Sequence, residues 1–191
     1  MGPEVVSRQG RTQLDAMPLP TDPPPLRGVR LTRPQFVELE APRSEGAVAL
    51  YRLWQEVKPP DGLPPRSAFS FERIGKLGLL GQFFVIEPVN GGEDWQYRLV
   101  GSQLRWLFGR DATGRPFRQH YDELNAVERI NLSNQVARSG KPIFLWARFL
   151  YRGRPGEYET MSLPVLSMDR QAVWLVGASF PSNHPQRQAD L

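Results

Sequence analysis

The chain has 191 residues and a formal net charge of +4 at pH 7, with no cysteine and two histidines. The absence of cysteine excludes disulfides, thiolate metal sites, iron–sulfur clusters, thiol nucleophiles and cysteine-dependent flavin photochemistry. The 40% hydrophobic content is enough for one sizeable core, and no apolar run approaches the roughly 20 residues of a membrane span. We therefore expect a soluble cytoplasmic protein with no membrane segment.

The amino-terminal segment is rich in proline and poor in large apolar side chains. Such a composition buries too little surface to offset the entropy that is lost on ordering. We predict a flexible arm over residues 1–30, a helical extension over residues 31–80, the main domain over residues 81–180 and a polar tail over residues 181–191.

An amphipathic helix is the strongest element ahead of the main domain. It is predicted to begin at residue 44 or 45 and to end at residue 57, with Leu50 and Trp54 on one continuous apolar stripe. Residues 36–39 favour a short element before this helix, and residues 70–80 favour a second helical segment after it.

The main domain shows an alternation typical of strands. Five strands are predicted, over residues 82–87, 94–100, 142–151, 157–166 and 172–180. The Asn-Gly turn after the first strand predicts a hairpin, and a helix over residues 120–139 ends at Gly140. This order predicts an α+β fold: a five-stranded antiparallel sheet with helices on one face, preceded by the amino-terminal helix.

The stretch between the second strand and the long helix combines glycines with short polar side chains. Gly101 lies where the strand period changes to a helical one, while Gly109 and Gly114 tolerate positive φ. Asp111 and Thr113 carry side chains that can satisfy backbone amides of a turn. We interpret the stretch as a structural motif rather than a catalytic one.

Several segments resemble PAS domains, more narrowly a bacterial family of small stand-alone PAS-like proteins formerly of unknown function. The resemblance covers about residues 46–180 and rests on Leu50-Tyr-Arg-Leu-Trp54, Leu63-Pro-Pro-Arg66, Phe83-Phe-Val-Ile86, Tyr97-Arg-Leu-Val-Gly101 and Phe108-Gly-Arg-Asp-Ala-Thr-Gly114. It implies a cavity between the sheet and its helices, and a sensing, signalling or protein-interaction role rather than turnover.

PAS domains bind several different cofactors, and each cofactor needs particular residues. Light-sensing flavin and cinnamoyl PAS domains need a cysteine, which the chain lacks. Haem-binding PAS domains use an axial histidine, and the nearest candidate, His120, has polar neighbours that favour a surface or capping role. His184 lies in the tail. Noncovalent flavin stays open with no residue in its favour, so we expect no cofactor and no metal.

The resemblance also implies residues that line the cavity, although each of them can equally well pack a core. The predicted set is Phe84, Ile86, Tyr97, Leu99, Trp106, Leu124, Ile130, Trp146, Arg148 and Met161. Arg148 interrupts an apolar run, so it is either exposed at the edge of the sheet or anchors an anionic group.

We expect a regulatory module that acts through contacts with an unknown signalling protein, has room for a small-molecule ligand and forms a homodimer. The residues predicted at the dimer interface are Leu50, Tyr51, Trp54, Trp174 and Val176. On this hypothesis, charged replacements at Leu50 and Trp54 yield a folded monomer. The alternative is that the amino-terminal helix covers its own sheet.

Two other functions stay open at this point. A nucleic-acid-binding regulator would use residues 101–154, which carry ten Lys and Arg against four Asp and Glu. A small enzyme would use the paired carboxylates Asp122 with Glu123, or Glu157 with Glu159. A solvated face, a helix start and an outward-facing edge strand explain these charges more simply, so we expect no enzyme and no nucleic acid.

Overall fold

A computed structural model describes residues 35–104, 111–151 and 154–181, except for the side chains of residues 35, 148–151 and 154–156. Its elements, in chain order, are β1 (Gln35–Leu39), α1 (Glu45–Val57), α2 (Phe71–Lys76), β2 (Phe83–Val89), β3 (Asp94–Val100), α3 (Phe117–His120), α4 (Glu123–Ser139), β4 (Ile143–Tyr151), β5 (Arg154–Leu166) and β6 (Val173–Pro181). The predicted arm, and the predicted tail beyond its first residue, lie outside the described residues.

The strands form one antiparallel sheet in the order β1-β4-β5-β6-β2-β3. The predicted α+β class and antiparallel sheet are confirmed, with six strands rather than five. The additional strand is β1, where the sequence favours only a short element. It pairs with β4 from Gln35 opposite Arg148 to Leu39 opposite Phe144, so the predicted helical extension contributes a strand to the sheet.

Helices cover both faces of this sheet. Helices α3 and α4 lie on one face, which we call the inner face, and α1 lies against β5 and β6 on the opposite, outer face. Leu50 is fully buried, and Trp54 is buried with its indole N–H donating to the carbonyl oxygen of Pro164 at 2.8 Å. The predicted placement of helices on one face therefore holds for α3 and α4, while α1 packs on the other.

A buried carboxylate from β5 accepts hydrogen bonds from backbone N–H groups at the amino terminus of α1. Glu159 is only 3% exposed; its Oε1 accepts from the backbone N–H of Arg43 at 2.7 Å and its Oε2 accepts from that of Ser44 at 2.8 Å. A negative charge is favourable beside the free amides of a helix start. The predicted outward-facing edge strand is wrong for Glu159, since β5 lies between β4 and β6.

Glu159→Gln tests this contact. The amide keeps one acceptor but turns an NH₂ group toward a backbone donor, so we expect the free energy of unfolding to fall by about 1–3 kcal/mol. Urea denaturation measures the change, with Glu56→Gln on the exposed side of α1 as the matched control. Equal losses in the two variants would contradict the proposed role of Glu159.

Leu50→Ala tests the packing of α1. Loss of this buried side chain is expected to cost about 2–5 kcal/mol of unfolding free energy, against little change for Gln55→Ala at an exposed position of the same helix. Size-exclusion chromatography with light scattering provides the second readout. A lower oligomer mass with nearly unchanged stability would instead place Leu50 between two copies of the chain.

Candidate ligand cavity

A cavity of about 50 Å³ lies between the inner face of the sheet and α4. Apolar side chains form one part of its wall, among them Phe84, Ile86 and Leu145 from the sheet and Phe117 and Leu132 from the helices. A space of this size holds a few water molecules or a small ligand.

The other part of the wall is polar and comes from the central strands. In β5, Tyr158, Thr160 and Ser162 point to the inner face, because successive side chains of a strand alternate between faces. Ser179 from β6 lies beside them, with its Oγ 2.8 Å from the Oγ1 of Thr160. Small hydroxyl side chains leave open the space that leucine or phenylalanine would fill.

Two tyrosines meet at the helical side of the cavity. The hydroxyl oxygens of Tyr97 on β3 and Tyr121 before α4 are 2.8 Å apart. Burial raises the pKa of Tyr97 well above its ordinary value of 10.0 and also raises the pKa of Tyr121. Both side chains are therefore neutral and serve as hydrogen-bonding groups at physiological pH.

Among the described residues of the cavity wall, Arg129 of α4 has the only charged side chain. Its guanidinium carbon lies 4.3 Å from the ring centre of Tyr121 and 5.7 Å from that of Phe36. Burial lowers the pKa of Arg129, but the interactions with Tyr121 and Tyr158 outweigh it and hold the pKa above its usual value. The guanidinium therefore stays charged, although no described residue forms a hydrogen bond with its buried Nε.

A protein-family model described as PAS domain matches residues 43–179 of the chain. The chain belongs to the PAS domain family. This membership confirms the resemblance and supports a sensory or regulatory role in general terms. A comparison with curated proteins finds no match to this sequence.

The match defines which elements belong to the PAS domain. It begins just before α1 and ends within β6, so α1 and its contact with Glu159 are part of the domain. Strand β1 precedes the match and is an addition to its sheet.

Only some of the residues predicted to line a cavity lie around the cavity on the inner face. Phe84, Ile86 and Tyr97 line it, and Ile130 is buried in the same inner-face core. Trp106 lies outside the described residues, as does the side chain of Arg148. The remaining predicted residues lie elsewhere: Leu124 is 63% exposed, and Leu99, Trp146 and Met161 belong to the outer-face core.

The position of Leu99 has a specific cause. Tyr97 pairs with Ile86, but Leu99 pairs with Val85, so Arg98 is an extra residue in β3. This β-bulge shifts the alternation by one position and turns Leu99 to the outer face. Met161 lies on the outer face for a different reason: in β5 the regular alternation points Thr160 and Ser162 to the inner face and the residue between them to the outer face.

Sequence reasoning missed Arg129 and the hydroxyl-bearing residues of β5. The sequence carried no signal for Arg129, because Asn125 and Ser133, four residues before and after it, are polar and their burial is seen only in the structure. For β5 the signal was the alternation itself: Tyr158, Thr160 and Ser162 carry hydroxyl groups at every second position, which predicts one polar face along the strand.

The residues predicted at a dimer interface lie on the outer face of the PAS domain. Leu50, Trp54 and Val176 are buried in the chain's own core, in line with the alternative that α1 covers its own sheet. Tyr51 and Trp174 are partly exposed; the Tyr51 ring centre lies 4.9 Å from that of Phe144, and Arg98 stacks on Trp174. The dimer interface stays a prediction that depends on Tyr51 and Trp174.

The structural motif of the sequence is described except for Gly109. The Oδ1 of Asp111 accepts from the backbone N–H of Thr113 at 2.9 Å, and Gly114 has a φ of +72°. Gly101 lies so close to the loop before β2 that a Cβ there would collide with the carbonyl oxygen of Gly81. The contact of Gly101 joins the end of β3 to the loop before β2, and the features at Asp111 and Gly114 define the turn that precedes α3.

The remaining candidate residues serve local structure. His120 ends α3, with its ring centre 4.6 Å from that of Tyr121. The Oδ1 of Asp122 caps α4 by accepting from the backbone N–H of Asn125 at 3.0 Å, and hydrogen bonds from Asn125 lower the pKa of Asp122. Glu123 pairs with Arg118 at 2.6 Å. His184 lies outside the described residues.

Two further features concern the described part of the chain as a whole. Within it, no three His, Cys, Asp or Glu side chains come together as a metal site. None of the helices in these ranges has the length and apolar character to cross a membrane. The exposed basic residues Arg115, Arg138 and Lys141 lie on separate elements rather than along one stripe.

The buried tyrosines predict a pH dependence. A folded-state pKa above the unfolded value of 10.0 stabilises the fold below that pH, and this contribution is lost as the pH rises toward the folded-state pKa. We expect the unfolding free energy to decline above pH 10.0 and the decline to be shallower in Tyr97→Phe. Denaturation series across this range give both slopes; identical slopes would contradict the assignment.

Gly101→Ala tests the close approach to the Gly81 backbone. We expect this variant to lose stability because backbone atoms must move to accommodate the Cβ. Gly75→Ala in α2 is the matched control: its Cβ would have ordinary contacts at 3.5 Å, and alanine favours a helix by about 1 kcal/mol over glycine. Thermal unfolding of both variants should show changes of opposite sign.

Proposed function

We propose that this PAS domain is a sensory or regulatory module that binds a small molecule in the inner-face cavity and signals through protein contacts. The observation that carries the proposal is the cavity itself. Protein interiors are close-packed, yet here hydroxyl groups and the cation of Arg129 border open space. Buried polar groups need water or a ligand as partners, which favours a binding site over a packing defect.

A contact at Arg129 connects the cavity to the edge of the sheet. The guanidinium stacks on Phe36 of β1, so a ligand that repositions Arg129 would alter the packing of this strand. Val37, the next residue of β1, is 57% exposed. An edge strand presents backbone donors and acceptors to a partner chain, and we propose β1 as the element through which ligand binding is transmitted.

Nothing in the described residues identifies the signalling protein that receives this change. For the chain itself, we propose a homodimer as the functional unit. Tyr51 and Trp174 retain exposed surface on the outer face, which supports a contact there between two copies. We place the module in the cytoplasm and propose no catalysis, in keeping with the capping roles of Asp122 and Glu159.

Native mass spectrometry of the purified full chain tests both proposals. We expect a dimer mass and, on each chain, a small mass increment that acid denaturation releases. Ser162→Val should lose the increment because the added methyl groups occupy the cavity, whereas Ser102→Val, at an exposed position, should retain it.

Two results would count against these proposals. A monomer mass across the accessible concentration range would remove the homodimer. A mass equal to that of the bare chain in the wild type, with no small molecule in the denatured extract, would remove the ligand.

A further inference from the structure

Among the described residues, none supplies a counter-ion to the cation of Arg129. The described ion pairs join Lys76 to Glu72, Arg98 to Glu87 and Arg118 to Glu123, and Arg129 takes part in none of them. Its neighbours Tyr121 and Phe36 offer aromatic ring faces, which attract a cation but do not neutralise it. A partly buried charge with these surroundings is stabilised when an anion binds beside it.

The neighbouring tyrosines do not supply that anion. Tyr97 in the cavity wall shares a hydrogen bond with Tyr121, and the burial of both side chains disfavours the ionised phenolate. Tyr158 lies within hydrogen-bonding reach of the guanidinium and is itself buried. The raised pKa values of Tyr97 and Tyr121 keep these two hydroxyl groups neutral, so they do not balance the charge of Arg129.

The geometry of the site selects the class of anion. A guanidinium offers two parallel N–H donors that match the two oxygens of a carboxylate. One cation balances one negative charge, whereas a phosphate dianion would leave an excess charge in a poorly solvated space. Part of the cavity wall is apolar, with Phe84, Ile86 and Leu145 among its residues, and this part suits a short hydrocarbon body.

We propose that the cavity binds a small monocarboxylate, with its carboxylate on Arg129 and its apolar end against the sheet. Ser162 lies in the same wall, and its hydroxyl group can donate a hydrogen bond to a carboxylate oxygen. This inference rests on the proposed function, since it specifies the chemical class of the ligand for the same cavity.

Thermal unfolding of the full chain with propionate or propionamide tests the charge requirement. The two probes have nearly the same shape, but only propionate carries a negative charge at neutral pH. At constant ionic strength we expect the melting temperature to rise with propionate concentration and to stay constant with propionamide. Equal shifts with the two probes, no shift with propionate, or a larger shift with inorganic phosphate would overturn the proposal.

Arg129→Met tests the assigned residue. Methionine keeps much of the side-chain length without the charge, so the propionate-dependent shift should disappear. Arg138→Met on the exposed side of α4 is the matched control and should keep the wild-type shift. A wild-type response in Arg129→Met would overturn the assignment.

Arg129→Lys provides a second variant in case Arg129→Met fails to fold. It retains the charge but loses the paired donors, and we expect propionate to bind on the order of tenfold more weakly. Undiminished binding to Arg129→Lys would contradict the two-donor contact. The comparison of propionate with propionamide on the wild type decides the charge requirement without any variant.

The outcomes separate this inference from the function on which it rests. An uncharged molecule retained in native mass spectra, with no response to propionate, would overturn the carboxylate and leave the sensory cavity in place. A bare chain that responds to none of the probes would remove both.

Discussion

The contact between Glu159 and the start of α1 determines how the two faces of the sheet are used. Its carboxylate accepts the backbone N–H groups of Arg43 and Ser44 from within the central strand β5. This directs the helix across the outer face, where Leu50 and Trp54 are buried. Because α1 belongs to the PAS match, the outer face is closed by the domain itself, and open internal space is left on the inner face.

Strand β5 has a different composition on its two sides. Met161 and Leu163 fill the outer-face core, while Thr160 and Ser162 border the cavity. One strand therefore stabilises the fold and forms the site at the same time, because neighbouring residues point in opposite directions. A hydrophobic replacement on the cavity side adds packing but removes the space that a ligand needs, so stability and binding compete at these positions.

The elements that could be predicted from the sequence are those that a local pattern of residues defines. The apolar stripe and Ser44 cap define α1, and Gly140 ends α4 in the left-handed conformation at a φ of 63°. Features that depend on distant partners were missed: β1 is a short strand that exists through its pairing with β4, and Leu99 changes face at a bulge seen only in the register with β2. Arg129 was overlooked because charged helix residues are usually exposed.

Strand β1 has a further consequence for solubility. It pairs with β4, whose sequence Ile143-Phe-Leu-Trp-Ala-Arg-Phe-Leu-Tyr151 is almost entirely apolar or aromatic. A long apolar strand left at the edge of a sheet is a template for pairing with other chains and for cross-β aggregation. By taking the edge position, with Glu38 exposed, the five residues of β1 shield one edge of this apolar strand from pairing with other chains.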